Sequence, residues 1–306
     1  MEGSPASISA RHSLKGETKV REFITIGLNG LTLGALYFLV ASGFSLVFGL
    51  MRVVNLAHGS LYLLGAYVGW SIGDATGNWF LALIGAPLLV AMVGILIQQG
   101  LLRRIQGQEL REALVTIGVS IVVADLLLAH YGGQSYELTP PDAINGSTFL
   151  GLFNITYPTF RLFTVGLALV VGGGLWLLLR HTRLGLMIRA GIDDRDMVSA
   201  LGINIQRVFA IVFGLGALLA GLAGIIAGSA LSVGPGDDGL YLLYSLIVVI
   251  IGGMGSVGGA ALGALLVGLV GQFALAYAPT YSILLTFVMM ILVLAVRPQG
   301  LVGRAV

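Results

Sequence analysis

Long apolar stretches separated by short polar ones dominate the pattern along this chain. A membrane-crossing helix needs about 20 predominantly apolar residues, and stretches of that kind recur from residue 23 to residue 296. This criterion predicts about nine crossings, within a range of about eight to ten, at 23–50, 57–73, 79–101, 112–131, 161–179, 209–231, 240–255, 257–278 and 280–296. The stretch 240–255 is short and ends in a glycine-rich run. It is either a crossing or a broken, partly re-entrant segment, which is stable only against protein or along a cavity.

The composition agrees with this pattern. Hydrophobic residues make up 57% of the 306 and charged residues only 10%, whereas an ordinary soluble domain has about 25% charged residues. We therefore expect an all-α, polytopic integral membrane protein with a single transmembrane domain over residues 23–306, after a polar N-terminal tail over residues 1–22. The chain has no cysteine, which excludes disulfides, iron–sulfur clusters and thiolate zinc sites.

The distribution of Lys and Arg predicts the orientation, because cytoplasmic loops of membrane proteins carry an excess of both. Arginines cluster in 103–111, in 180–208 and at the C-terminal end, so these segments are expected in the cytoplasm. The segments 132–160 and 232–239 contain neither residue and are expected outside. An odd number of crossings then puts the N-terminus outside, although the mild positive excess of residues 1–22 favours the other side. That tail does not resemble a removable signal peptide, so the first crossing should itself be the targeting signal.

The outer segment 132–160 mixes Pro140, Pro141, Asn145 and Gly146 with short apolar pieces. Residues of this kind favour a loop, and the apolar pieces leave room for a small hairpin. The segment serves either as a plain extracytoplasmic connection or as a docking surface for a partner.

Three residues interrupt the apolar pattern where the first two crossings meet, namely Asn55, His58 and Gly59. A polar side chain without a partner is costly in hydrocarbon, so these residues need an explanation. In one explanation Asn55 and His58 bond to backbone groups freed where one helix ends and the next begins, and Gly59 lets the chain turn tightly. In the other, their polar groups line a gate in a translocation path.

Asp125 is a carboxylate inside the predicted crossing 112–131. Ionisable residues at such positions either belong to a transport path or form hydrogen bonds between helices. The sequence leaves both roles open for Asp125.

The sequence contains no motif for an energy source or a catalytic centre. A phosphate-binding P-loop has a lysine after a glycine-rich turn, and the two lysines, Lys15 and Lys19, lie in no such context. The four histidines are far apart in sequence and lack the spacing of metal ligands, so no metal and no cofactor are predicted. A Gly-x-Ser-x-Gly nucleophile turn is also missing. We expect that the chain is not an enzyme.

The most informative polar stretch is "RLGLMIRAGIDDRDMVSALGINIQRV" at 183–208. Small and apolar residues before Gly202 predict a short helix that this glycine stops, followed by the start of the next helix. A plain connector does not need such an apolar face, whereas a surface that receives a soluble partner does. The alternative is an amphipathic piece lying in the lipid headgroups.

The chain resembles the permease subunits of ATP-binding-cassette importers for branched-chain amino acids, a family that also includes urea and short-chain amide permeases. Four blocks carry the resemblance in order along the chain. They are "NGLTLGALYFLVASGFSLVFGL" at 29–50, "VNLAHGSLYLLGAY" at 54–67, "RAGIDDRDMVSALGINIQRV" at 189–208, and "GGMGSVGGAALGALLVG" at 252–268 with "RPQGLVGR" at 297–304.

The resemblance implies a division of labour among several subunits. A soluble binding protein outside captures the solute, this chain pairs with a second, related permease chain, and two cytoplasmic ATPases supply the energy. The segment 180–208, hereafter the coupling segment, is then expected to sit in a groove of one ATPase. The residues expected to act there are Arg189, Ala190, Asp193, Asp194, Arg195, Ala200, Gly202 and Ile203, with the aspartates meeting basic residues. The candidates for the translocation path are Asn29, Asn55, His58, Gly59 and Asp125.

By resemblance, the chain works in the plasma (inner) membrane of a prokaryote and moves a hydrophobic amino acid such as leucine, isoleucine or valine by alternating access. A urea or amide permease is the alternative within the family. Two alternatives lie outside it, an ATP-independent channel for a small neutral solute and a membrane scaffold that transports nothing. Neither explains the coupling segment.

Overall fold

The computed structural model describes residues 5–151 and 155–303, with the backbone alone for residues 5–18 and for positions 193, 195 and 196. Helices dominate these residues. The helices are α1 (Pro5–Met51), α2 (His58–Thr76), α3 (Trp79–Gly100), α4 (Glu109–Tyr131), α5 (Thr159–His181), α6 (Arg183–Asp193), α7 (Arg195–Ala200), α8 (Ile205–Ala230), α9 (Asp237–Gly252), α10 (Val257–Tyr277) and α11 (Ser282–Val296). The strands are β1 (Ser147–Leu150) and β2 (Ile155–Pro158).

The predicted all-helical membrane fold is confirmed. Within the described ranges, 7 helical segments are long and apolar enough to cross a membrane. They comprise part of α1 and the whole of α3, α4, α5, α8, α10 and α11. The helices α2 and α9 match the predicted crossings 57–73 and 240–255 but are not among them. The 16 residues of α9 span about 24 Å at 1.5 Å per residue, which is less than the hydrocarbon thickness of about 30 Å. The number of crossings therefore stays a prediction.

The first helix is longer than the first predicted crossing. It begins at Pro5 and runs for 47 residues to Met51. Its apolar part is Lys19–Met51, so most of the polar stretch predicted as a tail continues the backbone of this helix. Residues 1–4 of that predicted tail lie outside the described residues.

Two helices form the centre of the bundle. Of the most apolar 18-residue stretch of each helix, 83% is buried in α1 and 78% in α8. The corresponding shares are 11% in α4 and 6% in the segment that ends in α11. The peripheral helices expose large apolar side chains such as Ile121, Val170 and Ile291. Such exposure is expected where lipid or another membrane chain surrounds the protein.

Glycines bring α1 into close contact with α10. A Cβ added at Gly30 would lie 2.9 Å from the Cα atom of Leu269, and one added at Gly34 would lie 2.9 Å from the carbonyl oxygen of Ala264. Real Cβ atoms do not approach backbone atoms so closely, so the two helices pack with their backbones nearly touching at this pair. The spacing of these glycines is typical of the small-residue contacts that hold membrane helices together.

The two segments predicted to face outward lie against each other. The predicted hairpin in 132–160 is confirmed, because β1 and β2 pair antiparallel from Ser147 opposite Pro158 to Leu150 opposite Ile155. Earlier in the same segment, the backbone amide and carbonyl of Tyr136 both bond to Val233 at 2.9 Å. This bridge joins the 132–160 segment to the connection between α8 and α9.

Candidate functional site

The chain reverses direction at Arg52, immediately after α1. The amide of Arg52 donates to the carbonyl of Phe48 at 2.8 Å, and its φ of 55° lies in the left-handed region. Helices often end with a residue in this conformation, which is usually glycine. In arginine it costs about 1–2 kcal/mol. The conformation turns the following residues back toward the interior of the bundle.

The segment between α1 and α2 is buried although it is not helical. Val53, Asn55 and Ala57 are all at most 5% exposed. The Asn55 side-chain oxygen accepts from the amide of Ala57 at 3.2 Å, and the hydroxyl of Thr116 on α4 accepts from the amide of Leu56 at 3.2 Å. These side-chain bonds satisfy the amides of Leu56 and Ala57, which have no helical carbonyl as a partner. The bond to Thr116 also ties the segment to α4.

His58 begins α2 in the interior of the bundle. The side chain is fully buried, and Nε2 donates to the carbonyl of Val40 at 2.9 Å. Val40 precedes the end of α1 by about 16 Å at the usual helical rise, so α2 starts well above the end of the helix before it. Asn55 bonds to a backbone amide between the two helices, as one of the two explanations expects, and its role in a translocation path stays a prediction. His58 instead adds a bond to a carbonyl in the middle of α1.

Gly59 lies inside α2 and does not form the turn. A Cβ at this position would overlap the carbonyl oxygen of Asp238 in the first turn of α9. The glycine therefore allows two helix starts, those of α2 and α9, to approach each other inside the protein. Next to this contact the ring of Tyr62 stacks on that of Tyr241, with centroids 4.2 Å apart.

Asn29 lies near the midpoint of α1, far from this junction. Its side-chain oxygen accepts from the hydroxyl of Tyr157 at 3.0 Å and from the guanidinium of Arg161 at 2.6 Å. The Tyr157 hydroxyl also shares a hydrogen bond with Thr32 at 3.0 Å. Asn29 therefore ties α1 to β2 and α5. A role for Asn29 in the translocation path stays a prediction.

Asp125 is exposed on the outer face of α4. Its carboxylate has no hydrogen-bond partner among the residues that the structure describes. The hydrogen bond between helices that we considered for it is therefore not formed within the described part of this chain. The side chain points to lipid or to another membrane subunit.

A sharp bend connects α5 to the coupling segment. The hydroxyl of Thr182 donates to the carbonyl of Leu178 at 2.6 Å and accepts from the amide of Gly185 at 3.0 Å. The Arg189 guanidinium donates to the carbonyl of Leu179, which is one of the last carbonyls of α5. Arg189 was expected to act at an ATPase, and within this chain it stabilises the end of α5.

Asp194 and Gly202 define the short helix α7. The Asp194 carboxylate accepts from the amide of Met197 at 2.9 Å, which makes it the N-cap of α7. At the other end Gly202 has a φ of 80°. The amides of Gly202 and Ile203 donate to the carbonyls of Ser199 and Val198 at 3.0 and 3.3 Å. This pair of bonds is a Schellman motif, so the predicted helix stopped by Gly202 is confirmed.

The coupling segment has one buried and one exposed face. Ile188 and Val198 are at most 2% exposed and hold the segment to the bundle. Met197 and Leu201 are 62% and 71% exposed and project away from it. Asp194, Ala200 and Gly202 are exposed as well, and Ala190 and Ile203 are half-buried. The side chains of Asp193 and Arg195, two further predicted coupling residues, lie outside the described residues.

The structure thus divides the predicted residues into separate groups. Asn55, His58 and Gly59 come together at the junction of α1, α2 and α9, while Asn29 and Asp125 lie elsewhere. Sequence reasoning missed Arg52 and Thr116, which fix the junction. An arginine directly after a long apolar run was the available signal for the end of α1.

The chemistry of the described residues is that of packing and hydrogen bonding. Within the described ranges there is no group of three or more His, Cys, Asp or Glu residues that could hold a metal ion. The exposed apolar residues of α7 offer a docking surface, and the buried polar junction offers a place where helices can repack.

Comparisons with known proteins show what the chain is similar to. The family described as "Branched-chain amino acid transport system / permease component" matches residues 26–294. The high-affinity branched-chain amino acid transport system permease protein LivH of Escherichia coli K12 is 31% identical over 298 residues, which cover 92% of this chain and 96% of LivH. The corresponding protein BraD of Pseudomonas aeruginosa is 31% identical, over 90% of this chain and 94% of BraD. LivM of Escherichia coli K12 is 28% identical, over 88% of this chain and 68% of LivM.

Among solved structures, PsaBC from Streptococcus pneumoniae in complex with a Fab has a similar fold. The TM-score is 0.52 at 14% sequence identity, with 92% of this chain and 97% of the PsaBC chain covered. The family match spans all the helices from α2 to α10, most of the apolar part of α1 and nearly all of α11. This chain therefore belongs to the family of permease components of branched-chain amino acid transport systems.

Proposed function

We propose that this chain is the membrane permease subunit of an ATP-driven importer for branched-chain amino acids. The match of the family over residues 26–294 carries the proposal. The proposal also accounts for the absence of a P-loop lysine in the sequence, because in such an importer ATP is hydrolysed by other subunits. The solute arrives on a soluble binding protein and passes along the interface with a second permease chain.

The geometry of the coupling segment supports contact with a partner ATPase. Met197 in α7 and Leu201 directly after it are exposed, and the N-cap and the Schellman motif fix the two ends of that short helix. Exposed apolar side chains on a helix with fixed ends fit a groove in a soluble partner better than they fit water. The alternative that the segment lies in lipid headgroups does not need the two capping motifs.

Alternating access is the mechanism that fits such an architecture. The helices pack in two alternative states, and the ATP-bound and ATP-free ATPases bind these two states with different affinities. Such a difference in affinity is what lets a partner shift the equilibrium between them. The close backbone contacts of α1 with α10, and of α2 with α9, are places where helices can slide in steps. We propose Asn55, His58 and Gly59 as the moving part of the path nearest the coupling segment.

The proposal also includes the orientation of the chain in the membrane. The coupling segment and the C-terminus lie in the cytoplasm of a prokaryotic cell, and the 132–160 segment and the N-terminus lie outside. Arginine enrichment of the coupling segment supports this choice. The bond of Arg52 to Ile192 supports it too, because it brings the end of α1 to the side of the coupling segment.

Transport by the reconstituted importer tests the proposal. This chain, its partner permease and the two ATPases are assembled in proteoliposomes with ATP inside, and the binding protein and radiolabelled leucine are added outside. We expect leucine uptake that requires ATP and that isoleucine and valine inhibit. Liposomes with this chain alone are the control and should show no flux.

Other outcomes identify the alternatives. Flux through this chain alone without ATP indicates a channel or facilitator. Uptake that urea or acetamide inhibits and leucine does not indicates an amide permease of the same family. A complex that assembles but moves none of these solutes indicates a scaffold.

A further inference from the structure

Arg52 combines two unusual features at one position. It is the single non-glycine residue with positive φ among the residues that the structure describes. Its guanidinium also reaches across to the carbonyl of Ile192, with a nitrogen to oxygen distance of 3.3 Å. Strained residues of this kind persist where the surroundings hold them, and they cluster at active sites and switch regions.

The bond to Ile192 is directed at the end of a helix. Ile192 lies in the last turn of α6, whose final carbonyls have no amide partner inside the helix. A cation at that end is favourable because the helix dipole is negative there. Arg52 therefore holds the C-terminal end of α6, immediately before the bend at Asp194 that leads to α7.

A second contact beside it joins the same two elements. Gly191 of α6 lies against Leu50 of α1, so close that an added Cβ would lie 3.0 Å from the Leu50 side chain. The last turn of α6 thus rests on the last turn of α1 through packing, and on Arg52 through a hydrogen bond. The ends of α6 and α1 are therefore in direct contact.

Arg52 is exposed and directly precedes the segment 53–57 that leads to His58. Beyond it, Leu56 is bonded to Thr116 of α4, and His58 is bonded to Val40 in the middle of α1. Residues 53–57 separate Arg52 from His58, and the amides of Leu56, Ala57 and His58 are hydrogen-bonded. This short connection links the last turn of α6, through Arg52, to the polar junction between α1 and α2.

We infer that Arg52 is a positioning residue that couples the position of α6 to the conformation of the segment 53–58. The inference rests on the proposed function, since it assigns the route by which an ATPase at the coupling segment acts on the candidate gate. A passive helix cap is the alternative. Glycine would cap the helix at this position without strain. The coupling role needs the side chain of Arg52, whereas the capping role does not.

Three variants of the complete importer separate these roles. Arg52→Gly keeps the left-handed turn and removes the guanidinium, and Arg52→Lys keeps a cation that can donate to the same carbonyl. Arg103→Gln is the matched control, because Arg103 is an exposed arginine for which the described residues provide no hydrogen-bond partner. Each is measured for complex assembly, thermal unfolding of the permease, ATP hydrolysis and ATP-dependent leucine uptake in the same proteoliposomes.

We expect Arg52→Gly to assemble and to unfold at the wild-type temperature or above it, and to hydrolyse ATP within twofold of wild type. Leucine taken up per ATP hydrolysed should fall at least tenfold. Arg52→Lys should recover a substantial part of that ratio, and Arg103→Gln should keep all of it. If Arg52 were only a structural cap, Arg52→Gly would leave the ratio of leucine uptake to ATP hydrolysis unchanged.

Two results would overturn the inference. An unchanged ratio of uptake to hydrolysis in Arg52→Gly would mean that the guanidinium does not couple the two elements. Loss of ATPase assembly in Arg52→Gly would mean that Arg52 belongs to the docking surface. A wild-type importer without ATP-dependent leucine uptake contradicts the proposed function itself, and this outcome is distinct from a working importer that tolerates Arg52→Gly.

Discussion

At the scale of single residues, most of the polar side chains inside this membrane protein have identifiable partners. Asn29 bonds to Tyr157 and Arg161, Asn55 to a backbone amide, and His58 to the carbonyl of Val40. In each case the bond joins two segments that are distant in sequence or orders a non-helical one. Polar residues in this bundle therefore specify how the helices meet.

Substitution of His58 tests how much its one hydrogen bond contributes. His58→Gln keeps an N–H donor at a similar reach, whereas His58→Leu fills the space without a donor. We expect His58→Leu to lower the free energy of unfolding by about 1–2 kcal/mol, which is the contribution of a hydrogen bond between membrane helices in model peptides. The variant should therefore unfold at a lower temperature in detergent. His58→Gln should stay closer to wild type.

Transport measurements on the same two variants separate fold from gate. If His58→Leu folds and assembles normally but no longer supports leucine uptake, His58 acts in the gate and its bond to Val40 is secondary. Parallel loss of assembly and uptake assigns it to the fold.

Asp194 combines a local role with a predicted one. As the N-cap of α7 it accepts a hydrogen bond from Met197, and substitution of such a residue by alanine costs about 1 kcal/mol. Asn retains the cap and removes the charge. If the charge meets basic residues of an ATPase, Asp194→Asn should weaken ATPase copurification about as much as Asp194→Ala does. Copurification at the wild-type level in Asp194→Asn, with a loss only in Asp194→Ala, would limit Asp194 to capping.

At the scale of helices, glycine spacing determines which pairs pack closely. Gly30 and Gly34 bring α1 against α10, and Gly224 of α8 lies against the backbone of Tyr62 in α2. Lipid provides no hydrophobic driving force between helices, so these contacts are stabilised by many van der Waals interactions at short distance. A methyl group at one of these positions therefore affects a whole interface.

A matched pair of glycines in α1 provides the test. Gly34→Ala places a Cβ 2.9 Å from a backbone oxygen of α10, whereas the position of a Cβ at Gly27 has no neighbour within 4 Å. We expect Gly34→Ala to destabilise the permease by about 1–3 kcal/mol, as overpacking does. Gly27→Ala should match or exceed wild-type stability. Thermal unfolding in detergent measures both, and equal melting temperatures would contradict the close contact.

The helices themselves were largely predictable, because the composition of a membrane span is set by the lipid around it. The predicted crossings at 79–101, 112–131, 161–179 and 257–278 coincide with α3, α4, α5 and α10 to within a few residues. The stop of α7 at Gly202 was also predictable, since local backbone bonds suffice to form it. These features depend on neighbours in sequence.

The course of the chain between α1 and α2 was not predictable in the same way. The return of residues 53–57 into the bundle depends on Thr116 and Val40, which are distant in sequence and give no local signal. The interpretation of Gly59 as a turn was wrong for the same reason, because its purpose is a contact with α9. Likewise the sequence alone does not show that α1 continues back to Pro5.

At the scale of the whole molecule, two outer helices have large surfaces free to meet lipid or a second membrane chain. The peripheral helices α4 and α11 bury little of their surface within the chain, and Asp125 on α4 is exposed. A carboxylate facing lipid is unfavourable by about 2.5–3.5 kcal/mol. A second membrane chain over that face would remove this penalty.

The absence of cysteine allows a direct test of orientation. Single cysteines are introduced at three exposed positions, Lys19→Cys in α1, Ser147→Cys in the hairpin and Ser199→Cys in α7. We expect a membrane-impermeant maleimide to label the first two on intact cells and the third only after permeabilisation. Labelling of Ser199→Cys from outside would invert the proposed orientation, and labelling of Lys19→Cys only from inside would contradict an external N-terminus.

The central place of α1 also has a consequence for biogenesis. Gly30 and Gly34 of α1 pack on α10, which is synthesised much later than α1. At usual rates of synthesis this leaves α1 waiting in the bilayer for a time on the order of tens of seconds. A nascent chain that stops before α10 leaves the Gly30 and Gly34 face of α1 uncovered, so that another helix with small residues can pack there.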